Sequence, residues 1–397
     1  MRKPLISVTM TTYNHEKYIA ESIHSILDQT LQDFELVIVN DGSTDNTEQI
    51  IKSFHDPRIK YIYQENQGPS ACANTALRNS QGKYIALMSG DDVSYPTRLE
   101  VQYNEYIKGK PRLLFSHCNL IDDDSKLLEG EHFASSFFNH PNRSREEILR
   151  YFFFYGNYLN AVTCFTEKNI FDELGWYDIR LLQLQDFDMW MRGLIHGYEI
   201  EIIQQKLIKY RIRSGNQNLS AYRLDSAERI LFELTKVYKQ FYALDIDNIV
   251  SIFPDIFTLF PEINSKKINL NIIDIPYILL KLAFNTDNRY IKYTARDVFF
   301  ENLTEDYLQY LHEKFSIKNV DFYKYTGWGE LFEKIHELEH TRGELEHTRG
   351  ELNAVYNSYK WQIAVKLEKI ARKTGLIYVV KGMLKVYFFV KKTLKGK

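Results

Sequence analysis

Over its first hundred residues the chain alternates short apolar runs with segments of helical period. Residues 5–10 are rich in β-branched side chains and read as a strand, after which Ile19, Ile23, Ile26 and Leu27 recur at the spacing of an amphipathic helix. Residues 34–39 predict the next strand, closed by the turn Asn40-Asp41-Gly42-Ser43. Ser43 or Thr44 is expected to cap a helix running toward Phe54, with Asp45 and Glu48 in its first turns, where the helix dipole favours acids. Residues 59–63 predict a third strand, 69–79 a helix and 83–88 a fourth strand. Strands that are apolar throughout and alternate with helices imply an α/β fold with a mostly parallel sheet covered on both faces. Ligands bind such sheets at the carboxyl ends of the strands. Three polar clusters fall at those ends: Thr11-Thr12-Tyr13-Asn14, Asn40-Asp41-Gly42-Ser43 and Ser89-Gly90-Asp91-Asp92.

Past Pro111 the pattern loosens. Residues 113–116 read as a strand, 122–124 as a turn and 145–154 as a helix, and segments 161–166, 186–196 and 200–212 complete a mixed region. Beyond about residue 226 the period is helical, without strong turn signals until Pro254 and Pro261. An internal repeat follows, in which the heptad ELEHTRG of residues 337–343 recurs at 344–350. Leu331, Leu338, Leu345 and Leu352 share one register, as in a short coiled coil, although Arg342 and Arg349 interrupt the companion seam. Gly343 and Gly350 each cost such a helix about 1 kcal/mol. The expected organisation is therefore a sheet domain over 1–225, a helical segment over 226–328, a heptad helix over 329–370 and a tail over 371–397.

Composition narrows the class. With 397 residues, 44% hydrophobic and 26% charged, the chain can bury a large core, and wholesale disorder is excluded. Its three cysteines have no CxxC spacing, which argues against a disulfide framework or a zinc module and suits a reducing cytosol. No apolar run approaches the ~20 residues of a spanning helix, and no signal peptide is visible. The net charge of −2 conceals an asymmetry. Nine Lys or Arg and no acid follow residue 368, which leaves the preceding body at −11. An acidic body argues against a nucleic-acid partner. In the tail, Leu376, Val379, Val380, Met383, Tyr387, Val390 and Leu394 share one helical face, with Lys381, Lys385, Lys392 and Lys395 opposite. That pattern reads as an anchor lying on an anionic membrane surface, or else as a helix packed on the helical segment with its lysines solvated.

Three acidic positions carry candidate chemistry. Asp41, at a strand end in a Gly-Ser turn before a helix, could accept hydrogen bonds from a nucleobase or ribose, or simply shape the turn. Asp91 and Asp92 follow an apolar strand. Paired carboxylates there could hold Mg²⁺ or Mn²⁺ together with substrate phosphates, or form a solvated turn before Pro96. Asp186 and Asp188 open a helix, and an acid there is either an N-cap or a general base facing an acceptor hydroxyl.

Taken together, residues 5–220 resemble glycosyltransferase family 2, the inverting transferases of GT-A (Rossmann-like) fold. The resemblance is carried by Ser7-Val8-Thr9-Met10-Thr11-Thr12-Tyr13-Asn14, Ser25-Ile26-Leu27-Asp28-Gln29-Thr30, the run from Phe34 through Asn40-Asp41-Gly42-Ser43-Thr44-Asp45, Gly82-Lys83-Tyr84-Ile85-Ala86, Asp91-Asp92 and Asp186-Phe187-Asp188-Met189-Trp190. It implies that Thr11 and Tyr13 line a nucleotide pocket and that Asp41 contacts the base, most often uracil. It further implies that Asp91 and Asp92 hold a Mn²⁺ or Mg²⁺ bridging the donor diphosphate, and that Asp186 deprotonates the acceptor hydroxyl. The expected function is a metal-dependent, inverting transfer from a nucleotide sugar to a glycan or lipid-linked glycan, by a homo-oligomer on the cytoplasmic face of the membrane. The alternative is an inactive sugar-nucleotide-binding or scaffolding subunit.

Three departures qualify the match. The family often has a further acid where this chain has Ser89, which would lower metal affinity. Gln185 replaces the usual Glu before the base. Arg213 stands where many members carry a His; an arginine cannot ligate a cation, and either pairs with phosphate or is a surface residue near a loop. His336, His340 and His347 coincide with the duplicated heptad and read as solvated repeat positions, while His117 reads as core. No phosphate loop of the GxxxxGK[ST] kind is present, which argues against a nucleotidyltransferase.

Overall fold

The computed structural model describes residues 2–110, 112–128, 137–216, 218, 227–260, 269–318, 321, 322 and 325. The chain divides into two compact units, 1–317 and 318–397. The heptads of 329–370 and the tail of 371–397 lie outside the described residues.

The first unit is built on an eight-stranded mixed sheet in the order β3-β2-β1-β4-β7-β6-β8-β5. Its first half is parallel: β1 (Ile6–Thr12) lies between β2 (Phe34–Asp41) and β4 (Tyr84–Ser89), with β3 (Ile59–Gln64) at the edge. Nearly every residue of β1, β2 and β4 is buried, because α1 (Ile19–Leu27), α2 (Thr47–Lys52) and α3 (Pro69–Arg78) cover the sheet. Such two-sided burial is what the apolar residues of these strands require, and it encloses Ser7 and Thr9 with them. Short β7 (Phe165–Glu167) runs antiparallel to β4 and turns the sheet toward β6 (Arg112–Ile121) and β8 (Glu199–Arg211), which pair in parallel; β5 (Val93–Ser94) closes the other edge. The predicted strand over 113–116 is thus longer, and its register shifts at Ser116–Cys118 let β8 continue alongside it.

One start differs from expectation. Helix α2 begins at Thr47 after Asn46, and neither Ser43 nor Thr44 caps it. Ser43 Oγ instead accepts from the Asn14 amide (2.9 Å), Asn14 Oδ1 accepts from the Thr44 amide (2.8 Å), and Asp45 accepts from the amides of Glu16 and Thr47. The polar residues that resemble a cap stitch the loops after β1 and β2 together, a long-range partner that local sequence does not reveal.

Helix α4 (Arg98–Tyr106) carries a fully buried guanidinium. Arg98 donates to the carbonyls of Leu87 (2.8 Å) and Val162 (2.7 Å), to Gln102 Oε1 (2.9 Å) and to Ser94 Oγ (3.2 Å), so one side chain ties β4, α4 and the segment before β7. Further helices are α5 (Arg145–Tyr155), α6 (Lys168–Leu174) and α7 (Gln185–His196). Beyond them α8 (Ala227–Tyr238) opens the helical region, which includes helices Ile275–Phe284, Arg289–Glu301 and Glu305–Phe315 and belongs to the same unit as the sheet. All three cysteines, Cys72, Cys118 and Cys164, are free and buried, and burial pushes their thiols up, Cys118 to about 12 and the other two further.

Candidate active site

The three strand-end clusters are neighbours. Thr12 sits opposite Asn40 and Thr11 opposite Ser89, so the turns after β1, β2 and β4 form one continuous rim. Thr11 is half-buried and Tyr13 is 45% exposed, leaving its ring at the mouth of that rim.

Asp41 is held from three directions. Its Oδ1 accepts from Gln64 Nε2 (2.6 Å) and the Gln67 amide (3.0 Å), and its Oδ2 from the Gly68 amide (2.9 Å). The loop can wrap this closely only through glycines. Gly42 has φ +75°, and a Cβ there would lie 2.7 Å from the Asn66 nitrogen; Gly68 has φ +86° beside Leu182.

The 91–92 turn has a different environment for each acid. Asp91 accepts from the Ser89 hydroxyl, and its Oδ2 lies 3.7 Å from His15 Nε2 and 3.5 Å from Arg213 Nε. Burial alone would raise the Asp91 carboxyl, but His15, the Ser89 hydroxyl and Arg213 together hold it below the ordinary carboxylate range. Asp92 accepts from the Arg211 amide (2.8 Å); burial, and next the charge of Asp91, push it well above that range. Arg213, expected to face phosphate, stands beside Asp91, one of the two acids expected to hold a metal.

Two further residues complete this corner, and sequence reasoning passed over both. His15 is buried, with Nδ1 3.2 Å from Thr12 Oγ1 and its amide donating to Thr47 Oγ1 (2.9 Å); burial lowers its pKa and favours the neutral ring. Arg211 is wholly buried and donates to the carbonyls of Asp91 (2.7 Å) and Asp122 (2.6 Å), to Glu21 Oε2 (2.8 Å) and to Ser125 Oγ (2.9 Å). It fixes the acidic turn to α1 and to the turn after β6. The available signal was the two-residue spacing of Arg211 and Arg213 at the end of a strand, which puts both side chains on one face.

Asp186 lies in the first turn of α7. Its Oδ1 accepts from the Phe187 amide (2.7 Å) and its Oδ2 from Asn157 Nδ2 (3.2 Å). Burial pushes the carboxyl up to about 6, against the opposing pull of these donors. The loop leading into α7 is bound to the Asp41 corner, since Ser70 Oγ donates to the Leu181 carbonyl and Leu182 packs beside Gly68. Asp188, by contrast, is engaged with Arg192 and Gln240 (2.6 Å). His117 is half-buried against the His140 carbonyl (3.0 Å), away from these acids' hydrogen bonds.

Asp91, Asp92 and Asp186 keep separate hydrogen-bond sets, and among the described residues no three Asp, Glu, His or Cys side chains gather as a ready-made metal cage. Mg²⁺ and Mn²⁺ are commonly held by one or two carboxylates with substrate phosphates supplying the rest, and adjacent acids at a strand end fit that demand.

Comparison with known proteins agrees with this geometry. The model of the family described as Glycosyl transferase family 2 matches residues 7–168. An uncharacterized glycosyltransferase of Methanocaldococcus jannaschii is 37% identical over 227 residues, covering 55% of this chain and 75% of the relative. TuaG of Bacillus subtilis, a glycosyltransferase named for teichuronic acid biosynthesis, is 27% identical over 233 residues, covering 58% and 87%. Among solved structures, S. aureus TarS 1–349 in complex with UDP-GlcNAc superposes with a TM-score of 0.53 at 19% identity, covering 76% of this chain and 89% of that one; this likeness concerns the fold. A GT-A sheet whose strand-end acids meet at one rim, together with the extent of the match to the M. jannaschii protein, leads to one conclusion: the chain belongs to glycosyltransferase family 2.

Proposed function

We propose that this glycosyltransferase moves a sugar from UDP to a hydroxyl of a glycan or lipid-linked glycan, with inversion at the anomeric carbon. Asp186 carries the reading: a buried carboxyl pushed up to about 6 is ionised at neutral pH yet basic enough to take a proton. Phe187 and Asn157 hold it in place while an acceptor hydroxyl transfers its proton to Oδ2. The oxygen then attacks the anomeric carbon as the nucleotide diphosphate departs from the opposite face. Asp41 engages the uracil, Thr11 and Tyr13 line the nucleotide pocket, and Arg213 neutralises the diphosphate. Asp91 and Asp92 would hold Mn²⁺ or Mg²⁺, which supplies charge stabilisation of the departing diphosphate. Support for the donor comes from the UDP-GlcNAc complex of the structural neighbour TarS, and for a glycan acceptor from the name of the relative TuaG. The heptads would gather copies, and the tail would hold them against an anionic membrane face.

Incubating the full chain with Mn²⁺, a panel of UDP-sugars and candidate acceptors tests the chemistry. UDP, not pyrophosphate, is the expected product, and chelation with EDTA abolishes its release. Asp186→Asn is expected to lower turnover about 10³-fold while UDP affinity is retained. Wild-type turnover in Asp186→Asn removes the base assignment, and UDP binding without turnover on any acceptor favours a scaffolding subunit.

A further inference from the structure

The helical region beyond the sheet reaches back to the loop that carries Asp186. Glu233, on α8, is fully buried, and its carboxylate accepts three backbone amides in succession: Leu182 on Oε1 (2.9 Å), then Gln183 (2.9 Å) and Leu184 (2.8 Å) on Oε2. Leu184 is the N-cap of α7 and has no side-chain cap of its own, so these amides would otherwise be unpaired at the positive end of that helix. Two further side chains near the same end reinforce the grip. Lys236 pairs with Asp178 just upstream, and Gln240 donates to Asp188 Oδ1 (2.6 Å) just downstream. The segment 178–188 is thereby held at both ends and in its middle from outside the sheet.

We infer that Glu233 is a positioning residue for Asp186, setting the entry of α7 so that the base faces the acceptor hydroxyl. The inference rests on the reading of Asp186 as the base. A buried carboxylate left without partners is costly, and three amide donors satisfy it only while the loop keeps one conformation. Loop geometry and the helical region are therefore coupled. The charge matters as well. Around Asp186 stand Glu233, the buried hydroxyl of Tyr177 and neutral Asn157, while Arg192 is occupied by Asp188 one turn along. Glu233 is the anion among them, and it opposes ionisation of Asp186.

Full-length Glu233→Gln keeps the shape of the side chain and removes its charge. The expected result is a kcat lowered about ten- to hundredfold, since small misplacement of a reacting group costs that much, with the KM for the UDP-sugar within about threefold of wild type. The acid limb of kcat should also move to lower pH. An unchanged kcat, an unmoved acid limb, or a fall in kcat matched by an equal loss of UDP affinity overturns the inference. Asp186→Asn run in parallel separates the two claims: if it is inactive while Glu233→Gln is wild-type, only the inference fails, and if it is active, the base assignment itself fails. If Glu233→Gln yields no folded protein, hydrogen exchange on the wild type decides. Protection of the amides of 182–184 comparable to that of α7 supports the brace, and exchange at the rate of an open loop overturns it.

Discussion

At the residue scale the site turns on what surrounds each carboxylate. Four aspartates at strand or helix ends have four separate environments: Asp41 caged by amides, Asp91 beside the Arg213 guanidinium, Asp92 against a backbone N–H and Asp186 desolvated. For Asp186 the consequence is a pH dependence of defined sign. Its charged form is the base, so kcat should fall as pH drops through about 6, a limb that a pH–rate profile will show and that Asp186→Asn will lack. The stability sign is opposite. A carboxyl raised in the folded state favours folding below its unfolded pKa of 3.8, a contribution lost as pH rises through 6. Asp186→Asn is therefore expected to raise Tm at pH 8, on the order of 3 °C, and to leave it unchanged at pH 3.5. These acids could be picked out in the sequence because an acid after an apolar strand or at a helix start is conspicuous. His15 and Gln64 could not, since their roles depend on which strand ends become neighbours: Gln64 reaches Asp41 only because β3 pairs with β2.

At the element scale, local pattern carried furthest where burial is two-sided. β1, β2 and β4 are buried along nearly their whole length because helices cover the sheet, and their apolar residues place them in the sequence. The start of α2 differs from expectation for the converse reason: Ser43 accepts from the Asn14 amide, and Asp45 divides its carboxylate between the Glu16 amide and the first amide of α2. Arg98 gives a second example, a charged residue in α4 that no periodicity would place in the core. Its bonds to Leu87 and Val162 make it a buried cross-link. Arg98→Met fills much of the volume but leaves two buried carbonyls unpaired, and should lower the unfolding free energy by about 3 kcal/mol in urea titration.

At the scale of the whole molecule, the α/β architecture followed from the alternation of strands and helices, but the order of the second half of the sheet did not. β7 has three residues and β5 two, too short to leave a pattern, yet they join the parallel halves and close the edge. The charge division between body and tail belongs to this scale too. Removal of residues 371–397 is expected to abolish co-sedimentation with vesicles containing phosphatidylglycerol while UDP binding stays intact; equal co-sedimentation with and without the tail would remove the anchor proposal. A practical opening comes from the thiols. Because Cys72, Cys118 and Cys164 are enclosed and resist ionisation, the folded protein should ignore maleimide dyes. A single cysteine placed at a surface site such as Tyr155 would then accept a fluorophore in the native background, so ligand binding could be followed by its emission without first stripping the core of its sulfur.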